Sequence, residues 1–228
     1  MTTAQRLGLS PDELLSTTRA VRKRLDFDRA VEPEVIKECL ELAVQSPTGS
    51  NSQGWQWLVV TDDDKRAALA ELYRQAWAVY EKMDGNAETA YDGKDLARVA
   101  QQMRVTGSAR YLAENFHRVP VMMIPVLPGR IEVLPPVLIA AGMGSILSGA
   151  WSFMLAARER GLGTAWTTLH LMFEQQAAEI LGIDHEKFTQ CALITCGYTH
   201  GTDFKPANRP PIETVLHWDT WGGQAPWE

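Results

Sequence analysis

The chain has 228 residues, of which 45% are hydrophobic and 22% are charged, and its formal net charge is -6 at pH 7. This length suits one globular domain of roughly 150 to 250 residues with a full core, or two small domains. The acidic balance argues against a general nucleic-acid or anionic-membrane binder, because such proteins usually carry a basic surface. We therefore expect no nucleic-acid and no membrane partner, while local basic patches remain available for small anions.

The first half of the chain predicts four helices and one strand. Ser10 and Glu13 have the spacing of a capping box, with Pro11 at the first helical position. The run WQWLVVT is aromatic and β-branched, which favours a buried strand. The predicted elements are a helix from residue 11, a helix from 33 to 45, a strand over 55–61, and helices over 62–83 and 95–115. Between the last two, the polar segment 84–95 is the lid candidate.

The second half predicts three strands around a long apolar helix. Gly161 and Gly182 each follow a helical run, as glycines that end helices do. The predicted elements are a strand over 119–127, a helix over 137–157, a strand over 164–169, a helix over 174–181, a strand over 189–196, and a proline- and tryptophan-rich tail from 205. Because helices outnumber strands and alternate with them imperfectly, the pattern predicts an α+β sandwich with a central sheet. No domain boundary is evident within residues 1–228.

The segment 137–157 carries no charge over about the length that spans a bilayer. Its glycines and serines also fit the small-residue packing of membrane helices. The alternative is a helix buried all round in a large core or subunit interface, where small residues let neighbours approach closely. We favour burial, because one modestly apolar span in an acidic chain is a poor anchor.

The cysteines and the amino-terminal segment indicate a cytoplasmic protein. Cys39, Cys191 and Cys196 lack CxxC spacing and fall in apolar runs, which favours buried, reduced thiols. No basic stretch followed by an apolar one stands near residue 1, so no secretory signal is expected.

Motifs for metal-dependent or nucleophilic catalysis are absent from the sequence. The five histidines show no paired spacing with cysteine or acidic residues, so we predict no metal site. A GxSxG elbow, a Walker loop and a GxGxxG after a strand are also missing. Basic residues at 19–24 and 205–209 could hold a phosphate, since arginine offers fixed charge and planar donors. The alternatives are a solvated basic turn and an anchored tail.

Four motifs in order resemble those of the flavin-dependent nitroreductase family. They are RAVRKR, SPTGSNSQGWQWLVVTD, LAARERGLGTAW, and a G-Y pair followed by R-P-P. The resemblance extends over residues 17–216. It implies a nitroreductase-like α+β sandwich with a central, mainly antiparallel sheet flanked by helices. It further implies a domain-swapped homodimer with one FMN at each of two sites in the subunit interface, in which residues 205–228 form an extension that packs on the partner subunit.

The resemblance also assigns site residues, all of them for cofactor binding and none for catalysis by a side chain. It implies that the first basic motif and the carboxyl-terminal cations bind the FMN phosphate. It also implies that the polar loop, the buried helix and the strand after GLG contact the flavin ring. The matching positions are Arg19, Ala20, Val21, Arg22, Lys205 and Arg209 for the phosphate, and Pro47, Thr48, Gly49, Ser50, Asn51, Ser145, Ile146, Thr167, Thr168, Leu169 and His170 for the ring.

The activity implied is an FMN-dependent NAD(P)H oxidoreductase that reduces nitroaromatic or quinone-like acceptors. NADPH or NADH would pass hydride to flavin N5 and leave before the acceptor enters, which predicts ping-pong kinetics. The alternatives are a flavin-using relative with other chemistry, such as flavin cleavage, dehalogenation or enoyl reduction, and a flavin-binding store or sensor without turnover.

Some positions depart from the usual family pattern. Thr18 and Ala20 stand where many members have the arginine and serine of an RRSxR motif, and Gly54 replaces the proline before the loop's tryptophan. Arg24 replaces a common phenylalanine. The phosphate grip is therefore expected to depend on the arginines that remain in the pattern.

Overall fold

The computed structural model describes residues 5–83 and 96–227, so the lid candidate at 84–95 lies outside the described residues. The helices are α1 (Pro11–Thr17), α2 (Pro33–Ala43), α3 (Asp63–Tyr80), α4 (Leu96–Glu114), α5 (Pro136–Glu159) and α6 (Glu174–Leu181). The strands are β1 (Gln56–Val60), β2 (Val121–Pro128), β3 (Leu162–Thr167), β4 (Phe188–Gln190) and β5 (Leu193–Tyr198).

The strands form one sheet in the order β1-β2-β5-β3, with β4 also paired to β2, and every ladder is antiparallel. Successive residues of β2 point to opposite faces. Met122 and Ile124 pack with α3 and α4, whereas Val121 and Met123 pack with α2 and α5. The sheet thus lies between two helical layers, which confirms the predicted α+β fold.

The helix boundaries follow the local signals in the sequence. Ser10 Oγ accepts a hydrogen bond from the Glu13 N–H while the Glu13 carboxylate accepts one from the Ser10 N–H, which completes the capping box. Asp62 caps α3 by accepting from the Lys65 N–H. Gly182 ends α6 at φ 71°, in the left-handed region that favours glycine.

The strand predicted over 189–196 is in fact two strands. Three steps along β2, from Val126 to Met123, match four steps on the other side, from Gln190 to Ile194. This one-residue shift is a bulge. It occurs beside Pro125, which has no N–H to donate to a regular ladder, although its carbonyl accepts from the Cys191 N–H at 2.9 Å.

Helix α5 is buried on one side only within this chain. Ile146, Ala150 and Phe153 are fully buried, but Val137 is 72% exposed and Leu138 51%. Among the described residues, α5 alone is long and apolar enough to cross a membrane, and its packing against α2 and β3 also suits a core helix. Within this chain, therefore, one side of α5 is buried as expected, and burial of its other side stays a prediction.

All three cysteines are buried and free, as predicted. Burial raises the pKa of Cys39 and of Cys191 to about 12. It also raises the pKa of Cys196, which is fully enclosed.

Candidate functional site

Residues 19–22 lie against strand β3. The Val21 N–H donates to the Thr164 carbonyl at 2.8 Å, and Ala20 forms a parallel bridge to the same residue. A Cβ built on Gly163 would lie 2.8 Å from the Val21 Cβ, so only glycine permits this approach. The pairing fixes the backbone of the basic segment and leaves Arg19 and Arg22 on either side of buried Val21.

Arg22 is partly buried, and its guanidinium has no acidic partner among the described residues. Its guanidinium donates to Ser108 Oγ of α4 at 3.1 Å. Burial lowers the pKa of Arg22, because the charged form loses solvation. Arg19 donates to the Lys205 backbone carbonyl at 3.1 Å, which ties the basic segment to the tail.

Two adjoining cavities share Arg19 and Ala20. The first, of 510 Å³, is polar and is lined by Arg19, Ala20, Arg22, Gln101, Arg104, Val105, Ser108 and Asn208. The second, of 590 Å³, is more apolar and is lined by Leu15, Ser16, Thr18, Arg19, Ala20, Trp151, Met154, Trp166, Pro206, Ala207 and Arg209. We call these the cationic cavity and the tryptophan cavity. The fold thus brings Arg19, Ala20, Arg22 and Arg209 together, while the side chain of Lys205 lines neither cavity.

Helix α4 contributes to the cationic cavity, and sequence reasoning missed this contribution. Gln101, Arg104 and Ser108 are separated by three and four residues, so they lie on one face of the helix. This polar stripe was the only signal in the sequence. Taken alone, it is indistinguishable from an ordinary solvent-facing helix surface.

The end of β3 is fixed by a short chain of hydrogen bonds. The hydroxyls of Thr167 and Tyr73 lie 3.1 Å apart, and Thr167 Oγ1 also accepts from the Leu169 N–H at 3.4 Å. Tyr73 stacks on Phe116 with ring centroids 4.0 Å apart. Thr168 is exposed between these fixed neighbours. Residues 167–169 thus leave the sheet in a defined backbone conformation just after Trp166 of the tryptophan cavity.

His170 is fully buried, and neither of its ring nitrogens has a hydrogen-bond partner among the described residues. Burial lowers its pKa to about 4. The imidazole is therefore neutral at pH 7, and only the backbone of this residue is left for a ligand.

The polar loop 46–53 lies against helix α5, with the Ser46 and Ser152 hydroxyls 2.8 Å apart. The Gly49 N–H donates to Ser145 Oγ at 2.9 Å, and Ser145 in turn donates to the Ala141 carbonyl at 2.6 Å. Ser50 and Asn51 have φ of 53° and 52°, which is an unusual conformation for residues other than glycine. Such conformations persist where the surrounding structure fixes them, and they concentrate at functional sites.

A third cavity, of 330 Å³, lies between this loop and α5, and we call it the loop cavity. It is lined by Thr48, Gly49, Ser50, Ser52, Gly54, Trp55, Leu127, Pro128, Ile131, Leu134, Leu138, Ala141, Gly142 and Ser145. Ile146 packs in the core beside Trp55, while Pro47 and Asn51 are exposed outside the cavity lining.

The assigned residues that line a cavity fall into two groups. Thr48, Gly49, Ser50 and Ser145 line the loop cavity, whereas Ala20 and the arginines line the other two, and no residue is common to both groups. The other assigned residues line none of these three cavities.

Comparison with known proteins identifies the family of the chain. The model of the nitroreductase family matches residues 15–198. The chain is 24% identical over 216 residues to "Putative NAD(P)H nitroreductase YdgI" of Bacillus subtilis (strain 168), a match that covers 90% of this chain and 96% of that protein.

Solved structures share the fold. The FMN and NADPH-dependent nitroreductase NfnB from Sphigopyxis sp. strain HMH is 20% identical with a TM-score of 0.66, over 93% of this chain and 100% of that one. An iodotyrosine deiodinase bound to FMN and 3-iodo-L-tyrosine is 17% identical with a TM-score of 0.64, over 92% and 98%. Since the family model matches most of its length, the chain belongs to the nitroreductase family.

Proposed function

We propose that this protein holds FMN with its phosphate among Arg19, Arg22 and Arg209, and reduces nitroaromatic or quinone-like acceptors at the expense of NADPH or NADH. As a member of its family, the chain is an NAD(P)H-dependent flavin oxidoreductase with FMN as cofactor. The observation that carries the phosphate assignment is the partial burial of the Arg22 guanidinium without a carboxylate partner among the described residues.

The donor set fits a phosphate monoester. Such a group carries about -1.5 to -2 charges at pH 7 and three acceptor oxygens. A desolvated guanidinium is costly unless an anion compensates it, and its planar fork matches phosphate oxygens. No acidic side chain lines the cationic or the tryptophan cavity among the described residues. An anion entering between Arg19, Arg22 and Arg209 meets no repulsion there.

The remaining residues would position the ring and exclude water. When bound, FMN supplies the hydride-transfer chemistry, so the protein contributes binding, orientation and electrostatics. Trp166 and Met154 give the tryptophan cavity an apolar wall. Within residues 167–169, Thr168 would present its backbone N–H to the ring, because the Leu169 N–H already donates to Thr167 Oγ1 and the Tyr73–Thr167 contact holds the conformation. Preorganised donors of this kind stabilise developing negative charge.

The site would be completed in a homodimer. Its support is the separation of the loop cavity from the arginines, together with the exposed apolar residues Val137 and Leu138 on α5. The tail exposes Trp221 and Trp227 as well, and we assign residues 205–228 to contact with the partner.

If both subunits contribute residues to each FMN site, a monomeric variant should bind FMN poorly. Light scattering after size-exclusion chromatography measures the mass directly. Acidic charge and free thiols support a cytoplasmic location.

The first test is the affinity for FMN. Arg22→Ala and Arg209→Ala should each weaken FMN binding by about 1.5 to 3 kcal/mol, the scale of a lost charge-assisted hydrogen bond. Titration of apoprotein with FMN, followed by flavin fluorescence, gives the dissociation constants. Arg74→Ala is the control, because Arg74 is an exposed arginine paired with Glu71 away from both cavities. Unchanged FMN affinity in both cavity variants would contradict the assignment.

The second test separates a reductase from a flavin store. Anaerobic mixing with NADPH or NADH should bleach the flavin absorbance near 450 nm, and a nitroaromatic or quinone should restore it. A preparation that holds FMN but bleaches with neither nucleotide is a store or sensor. Iodotyrosine turnover in place of nitroaromatic turnover would indicate the dehalogenating chemistry of the deiodinase relative.

A further inference from the structure

The cationic side of the site holds more positive charge than one FMN phosphate requires. Arg19, Arg22 and Arg104 line one cavity, and Arg209 lines the adjoining one. None of these four pairs with a carboxylate among the described residues. A phosphate monoester brings at most two negative charges. The surplus is notable in a chain whose net charge is -6.

Arg104, which carries part of the surplus positive charge, lies on helix α4. Ser108 of this helix receives the hydrogen bond from Arg22 at 3.1 Å, so the helix face that carries Ser108 adjoins the proposed FMN phosphate site. Arg104 and Gln101 continue the same face by one and two turns toward the amino-terminal end. They form a second donor pair in the cationic cavity, next to Arg22 but on a different element.

We propose that Arg104 and Gln101 form a subsite for a second phosphate monoester, the 2′-phosphate of NADPH, and thereby select NADPH over NADH. This inference rests on the proposed function, because it gives the reductant a place beside the cofactor. The 2′-phosphate is the anion that distinguishes the two nucleotides, and arginine is the residue that commonly accommodates it in other folds.

The kind of donor favours a monoester over the pyrophosphate that both nucleotides share. A pyrophosphate carries one charge per phosphorus and is commonly received by backbone N–H groups at a helix start or glycine-rich loop. Here the described lining offers guanidinium and amide side chains. A doubly charged monoester gains more from such donors, because charge-assisted bonds strengthen with the charge of the acceptor.

Binding of small probes to the FMN-loaded protein tests the subsite without turnover. Calorimetric titration should show 2′,5′-ADP binding about tenfold more tightly than 5′-AMP, which corresponds to about 1.4 kcal/mol. In Arg104→Gln this ratio should fall to near one, and Arg104→Lys should restore part of it. Arg74→Gln, which removes an arginine from α3, should leave the ratio as in the unmodified protein.

Steady-state kinetics supply the second readout. The ratio of kcat/KM for NADPH to that for NADH should fall about tenfold in Arg104→Gln. A loss that is equal for both nucleotides would overturn the assignment, since it would place a shared group at Arg104, and so would equal binding of the two probes by the unmodified protein. Loss of FMN from the unmodified protein, or no bleaching with either nucleotide, would instead count against the proposed function.

Discussion

Residues 19–22 are paired with strand β3 and share a glycine contact with it, whereas residues 48–53 lie over α5 and are joined to it by a serine hydroxyl. The first region offers charged side chains around two cavities, and the second offers backbone in a rare conformation beside an uncharged cavity. The contrast indicates how the proposed site divides its tasks. Arg22 loses part of its solvation, so its charge needs a rigid backbone that keeps it in place for an anion, while a loop that presents backbone groups needs only a local attachment.

The largest expected effect concerns His170, which follows the end of β3, and it depends on pH. Because burial lowers the pKa of His170 to about 4, the unfolded chain binds a proton before the folded one as the pH falls. As the pH falls from about 6.5 to about 4, the His170 contribution should therefore lower the free energy of unfolding by about 3 kcal/mol in total. His170→Leu should remove this part of the dependence, because an apolar side chain has no proton to bind. Urea unfolding at pH 7 and at pH 4.5 measures it, and an unchanged pH slope in the variant would exclude His170 as the source.

A smaller loss of stability is expected when a methyl group is added at Gly163, where two side chains leave no room for it. A Cβ there would lie 2.6 Å from Thr199 Cγ2 and 2.8 Å from the Val21 Cβ. Gly163→Ala should destabilise the fold by about 2 kcal/mol, within the usual cost of overpacking, and should also weaken FMN binding by moving Arg22. The unmodified protein, unfolded under the same conditions, is the reference. An unfolding midpoint of Gly163→Ala equal to that of the reference would show that the contact relaxes without cost.

The smallest effect belongs to the loop. Ser145→Ala removes the acceptor of the Gly49 N–H and should cost about 1 kcal/mol, the usual net value of a hydrogen bond. Ser148→Ala on the same helix is the control, because among the described residues the Ser148 hydroxyl bonds only to the Gly144 carbonyl one turn earlier. Hydrogen exchange should quicken at Gly49 in the first variant and stay unchanged in the second. If Gly49 exchange is equally slow in both, the loop is held by other contacts.

Local chemistry in the sequence predicts much of the fold. Ser10 and Gly182 specify helix ends through short-range hydrogen bonds and backbone freedom, and each acts as predicted. The bulge beside Pro125 was not predictable, because it depends on which strand pairs with β2. Which side of α5 the rest of its own chain covers was not predictable for a similar reason, since an all-round apolar helix carries no mark of that face, and burial of the other side in a subunit interface stays a prediction.

The candidate site likewise contains residues that the sequence predicts and residues that depend on the packing of distant segments. Motif order specified the arginines at 19, 22 and 209, and the structure places them around adjoining cavities. Arg104 and Gln101 escaped notice because their neighbourhood is created by the packing of α4 beside residues 19–22, far away in sequence. The left-handed conformation of Ser50 and Asn51 is likewise imposed by the loop's attachment, since neither residue type demands it.

The closed environment of the cysteines has a practical consequence. With the pKa of Cys39 and Cys191 near 12 and all three thiols buried, the described fold keeps its native sulfur atoms away from alkylating reagents. A single cysteine introduced at exposed Ser50 could therefore carry a dye or spin label without first removing the native ones. Slow labelling of the native thiols would then time the opening of the core, while the introduced label follows the loop.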